Sequence, residues 1–95
     1  MAVSTIKCNQ LQRKTVNKAL TGIASGEYSS GTIDISQYIN SYNYVGLESL
    51  ETNGINYNAF TVCYVSIAGN NVWYKIHNDS ATTKDIGLKA HLIVQ

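Results

Sequence analysis

Hydrophobic and polar positions alternate most cleanly in two places. The first is "FTVCYVSIAGNNVWYKIHN", Phe60 to Asn78. Gly69-Asn70 at its centre predicts a two-residue hairpin turn of type II′, with glycine at the first central position. That turn pairs Ala68 with Asn71, Ser66 with Trp73, Tyr64 with Lys75 and Cys63 with Ile76. Side chains alternate across a strand. One face then collects Thr61, Cys63, Val65, Ile67, Val72, Tyr74 and Ile76, and its aliphatic character makes it the expected core side. The other collects Phe60, Val62, Tyr64, Ser66, Trp73, Lys75 and His77. A slip of one residue would exchange the faces of a strand. The second place is "DIGLKAHLIVQ", which predicts a long strand with Ile86, Leu88, Ala90, Leu92 and Val94 inward.

Weaker patterns fill the rest. "SSGTIDIS" sets Ile33 and Ile35 on one side of a short strand, and "YNYVGLESL" does the same for Val45 and Leu47. Asn53-Gly54 marks a turn. "NDSATTKD" is a polar connection. The stretch "LQRKTVNKAL" is open between a helix, with Asn9 and Gln12 as a capping box, and an extended strand. Short strands broken by turns every eight to twelve residues predict an all-β fold, an antiparallel sandwich or jelly roll. The expected organisation is a short N-terminal arm, helix or strand over residues 1–22 and one β-sandwich domain over 23–95.

Composition narrows the function. The chain has 95 residues, room for one core. Its net charge is +1, and its seven Lys and Arg are dispersed apart from Arg13, Lys14 and Lys18. Nucleic-acid binding, which needs a clustered basic footprint, is not expected. No apolar run approaches the roughly 20 residues of a membrane span, and "MAVSTIKCNQ" lacks the apolar heart of a signal peptide. Cytoplasmic synthesis as a soluble protein is the expectation, with no membrane insertion. Two cysteines, Cys8 and Cys63, are too few for the usual disulfide scaffold of this size. Cys63 reads as a buried, unreactive core thiol.

Catalysis is not expected. His77 and His91 fall on outward strand positions, and Asp79 and Asp85 near His77 match no metal-ligand spacing. The six acidic residues are scattered, without the paired carboxylates of a glycosidase. No metal site and no cofactor are expected. Proline is absent and tyrosine is abundant, seven in all. Rings stack on sugar faces and also populate protein interfaces. Two groups are therefore candidates: Phe60, Tyr64, Trp73, Lys75 and His77 as an oligomer or ligand face, and Tyr38, Tyr42 and Tyr44 as a glycan platform.

From "SSGTIDISQYINSYNYVGLESLETNG" onward the chain resembles a β-sandwich module of bacteriophage and prophage virion proteins, of the tail-fibre head, baseplate or capsid-decoration type. The matching segments are Gly31–Ser36, Tyr42–Leu50, Phe60–His77 and Ile86–Val94. The resemblance carries no catalytic motif. It implies a non-enzymatic structural protein of the virion, made in the bacterial host cytoplasm. It also implies assembly as a homo-oligomer, a trimer in the first instance, with other virion proteins as partners. The alternative is a carbohydrate- or receptor-binding module using the aromatic face, with a host glycan as ligand.

Overall fold

The computed structural model describes residues 10–95. In chain order they form β1 (Gln12–Ile23), β2 (Tyr28–Asp34), a helix α1 (Ser36–Ser41), β3 (Val45–Asn53), a 3-10 turn (Tyr57–Ala59), β4 (Phe60–Ala68), β5 (Asn71–Asn78) and β6 (Lys84–Val94). Two three-stranded sheets result, ordered β1-β6-β3 and β2-β5-β4, and every neighbouring pair is antiparallel. The fold is an all-β antiparallel sandwich.

The centre of each sheet is a strand whose alternation never breaks. β5 buries Val72, Tyr74, Ile76 and Asn78, and β6 buries Ile86, Leu88, Ala90, Leu92 and Val94. Ile33 of β2 and Ile35 beyond it complete the same core. The hairpin forms as its sequence predicts: Gly69 holds φ +60, the left-handed value that the first central residue of a II′ turn requires, and Ala68 pairs with Asn71. Gly31 makes room for the core: a Cβ there would sit 2.7 Å from the Tyr74 hydroxyl.

β4 departs from the expected faces. Val62 pairs with Ile76 and Tyr64 with Lys75, so Cys63 has no opposite number and forms a β-bulge. Past the bulge the parity reverses. Phe60 and Val62 turn inward and Thr61 outward. Phe60 is therefore a core residue, only 7% exposed, and no part of the outer face, while Cys63 is exposed rather than buried. The energetics favour this. Burying Phe is worth roughly 1.5–3 kcal/mol, more than Cys and Thr recover in its place. Val65 and Ile67 are half-buried against the core. Cys8 lies outside the described residues.

The segment left open between helix and strand is strand: β1 pairs with β6 from Gln12↔Val94 to Ile23↔Lys84. The sandwich sheet thus begins at Gln12 and takes in most of the stretch expected to be an arm. Asn9 of the expected capping box lies outside the described residues. α1 occupies part of the tyrosine-rich stretch, and carries the chain from the second sheet to the first.

Candidate functional site on the outer face of the second sheet

The register of three strands lays nine outward side chains in a grid. Thr32, Trp73 and Ser66 form one row across β2, β5 and β4. Ser30, Lys75 and Tyr64 form the next, and Tyr28, His77 and Thr61 the third. Strand geometry sets neighbours about 4.8 Å apart within a row, with rows about 6.8 Å apart. Three rings reach solvent: Tyr28 is 58% exposed, Tyr64 55% and Trp73 47%. They surround Lys75, and hydroxyl residues fill most of the remaining positions.

Two of the rings are held. The Tyr64 hydroxyl meets Ser66 Oγ at 2.7 Å, two residues along the same strand, so the ring lies along the sheet toward Trp73. Tyr28 packs on the His77 ring with centroids 4.6 Å apart, and Lys75 Nζ stands 4.5 Å from the centre of the Tyr28 ring. The ammonium is thereby attracted to a π face, a contact worth about 0.5–1 kcal/mol at an exposed site.

A polar cluster borders the third row. His77 Nδ1 lies 2.5 Å from Asp79 Oδ1, and His77 Nε2 lies 3.1 Å from the Gly26 carbonyl oxygen. Thr61 donates its hydroxyl to the other Asp79 oxygen. Hydrogen bonds from Thr61 first, and then from His77, hold the Asp79 carboxyl below the usual carboxylate range. The pairing looks like half of a catalytic triad, but Nε2, where a nucleophile would hand over its proton, is occupied by a backbone carbonyl.

The first sheet has a counterpart. His91 Nε2 lies 2.7 Å from Glu51 Oε1, and Nδ1 lies 3.1 Å from Thr15 Oγ1, which ties β6 to both of its neighbours. The His91 hydrogen bond lowers the Glu51 carboxyl. Arg13 Nε donates to Glu48 at 2.7 Å. An open recess of about 690 Å³ beside them is lined by Arg13, Glu51, Tyr57 and His91 among others. Among the described residues, no three His, Cys, Asp or Glu side chains converge as metal ligands, and no helix is long and apolar enough to cross a membrane.

Of the expected site residues, Tyr64, Trp73, Lys75 and His77 share this outer face; Phe60 does not. Tyr38 and Tyr42 stand one helical turn apart, stack on each other at 6.5 Å and pack against the core. Tyr44, 40% exposed, stands apart from that stack. The structure does not join the three tyrosines to Trp73. Tyr28, Thr61 and Asp79 are the additions. Tyr28 reaches the face through the long-range β2–β5 pairing, which has no local signature. Thr61 reaches it through the bulge. No protein-family model, curated protein or solved structure matches the chain.

Proposed function

We propose that this chain is a non-catalytic assembly protein, and that its working surface is the outer face of the second sheet. It joins copies of itself into a homo-oligomer, a trimer in the first instance, and joins that oligomer to other proteins of a virion. One observation carries the reading: three solvent-exposed rings, Tyr28, Tyr64 and Trp73, share one sheet face. Exposed rings gathered on one face mark interaction sites, and Tyr and Trp dominate their energetics. The low net charge supports close approach of copies. The virion setting is supported by the resemblance of Gly31–Ser36 and the segments after it.

Light scattering coupled to size-exclusion chromatography tests this. The wild type is expected to run as an oligomer. Trp73→Ala is expected to lower its mass while leaving the fold largely intact, because Trp73 is half exposed. A wild type that stays monomeric at high concentration would sink the assembly reading. One observation favours a second reading, carbohydrate recognition. Tyr64, lying along the sheet beside Trp73 and among serine and threonine hydroxyls, has the form of a stacking platform. A Trp73→Ala protein that keeps the wild-type mass but loses binding on a glycan array would select that reading.

A further inference from the structure

The His77 ring sits between two groups that only accept hydrogen bonds: the Asp79 carboxylate at Nδ1 and the Gly26 carbonyl at Nε2. A neutral imidazole has one N–H and one lone pair. Whichever tautomer forms, one lone pair then faces an oxygen lone pair at hydrogen-bond distance. Only the imidazolium, with two N–H groups, satisfies both. His91 differs. Its partners are the Glu51 carboxylate and the Thr15 hydroxyl, and a hydroxyl donates as readily as it accepts. Neutral His91 gives Nε2–H to Glu51 and accepts from Thr15 at Nδ1, so both hydrogen bonds are satisfied by the neutral ring.

The contacts of His77 join separate elements. Gly26 belongs to the turn between β1 and β2, and its amide donates to the Asn78 carbonyl at 3.0 Å. Tyr28, the first residue of β2, rests on the ring itself. The charged and titratable groups around it are Asp79 beyond β5, Tyr28 on β2, Lys75 on β5 and Glu27 in the turn; β4 offers the neutral Thr61.

We propose that His77 is a proton-operated latch: the imidazolium pins the 24–27 turn and the Tyr28 ring to the third row of the aromatic face, and loss of its proton to solvent releases them. Lys75 then loses the ring that it covers, and the face changes both its shape and its exposed charge. Control of assembly by this latch rests on the function proposed above; the latch itself does not, and is measured directly on the chain.

The experiment follows the His77, His91 and Tyr28 ring signals and Gly26 amide exchange by NMR across neutral pH. In the wild type, Tyr28 ring shifts are expected to track the titration of His77 and not that of His91. Gly26 protection, corrected for intrinsic exchange, is expected to fall roughly three- to tenfold, the equivalent of about one ordinary hydrogen bond. Asp79→Asn offers an N–H to Nδ1 and so accepts the neutral ring. It is expected to abolish the Gly26 response while leaving the turn closed, whereas a merely structural Asp79 would leave the turn open at every pH. Gly26 protection that ignores the His77 titration, or that still responds in Asp79→Asn, would overturn the latch. Molecular mass across the same pH range should shift in the wild type and stay constant in Asp79→Asn. A monomeric wild type would remove the assembly reading, while the NMR signals still decide the latch.

Discussion

Asn78 is polar and wholly buried, and every hydrogen-bonding group it carries is engaged. Its Nδ2 donates to the Ile23 and Thr82 carbonyls at 2.9 and 3.0 Å, and its Oδ1 accepts from the Ser80 amide and hydroxyl at 2.9 and 2.6 Å. Its backbone accepts from Gly26 and donates to Glu27. One residue thus joins the end of β1, the turn before β2 and the connection into β6. Asn78→Ala leaves those groups without partners in a closed site. The expected cost is about 2–4 kcal/mol in urea denaturation, a large part of a small domain's stability. Asn78→Asp should fare no better, because it turns a carboxylate oxygen toward two carbonyls. In the sequence, "NDSATTKD" reads as a polar connection. An asparagine at the core end of a strand and one in a surface turn have the same neighbours there, so burial gave no sign of itself.

Legibility at the scale of elements follows the regularity of the ladder. β5 and β6 could be read because they are central and unbroken, and with them came the turn and most of the core. The outer face could be read as far as β5 and the near half of β4, which gave Trp73, Lys75, His77 and Tyr64. Edge strands hide more. The inward row of β1 is Gln12, Lys14, Val16, Lys18 and Leu20, which is half polar and suits neither period. Lys18 explains itself only in three dimensions: its ammonium stands 5.4 Å from the centre of the Tyr74 ring and donates to the Thr32 carbonyl, closing the side between β1 and β2. Inward-pointing lysines also discourage pairing of the long β1 edge with other chains. Cross-strand staples make a further prediction. The Glu51 carboxyl, through His91, and the Asp79 carboxyl, through Thr61 and His77, are both depressed in the folded chain. Depressed carboxyls contribute stability above their unfolded values, and that contribution is lost as pH falls through the lower folded ones. The urea midpoint should therefore drop as pH goes below about 4. Glu51→Gln and Asp79→Asn together should flatten that slope.

At the scale of the whole fold, the described residues make a long and thin body, 52 × 23 × 18 Å, with a radius of gyration of 15.1 Å against about 12 Å for an average globular domain of this size. A slab with a single layer of side chains inside has much surface for its core, which favours partners on its outer faces. Its ladders also contain a hidden freedom in chain length. Cys63 is the one residue of β4 without a partner opposite. A chain lacking it would run Thr61 out, Val62 in, Tyr64 out and Val65 in, with every β4–β5 pair preserved. Deleting Cys63 should therefore give a folded protein melting within about 8 °C of the wild type, the shift that roughly 1 kcal/mol produces at this size. Deleting Ser66, three positions away, keeps Phe60 and Val62 inward only by drawing Cys63 into the ladder, which turns Tyr64 inward and Val65 outward and should lower the melting temperature well beyond that. Equal damage from the two deletions, seen in the melting curves, would refute the bulge. With the difference present, a chain one residue shorter builds the same sandwich, and Cys63 is the residue that the fold can spare.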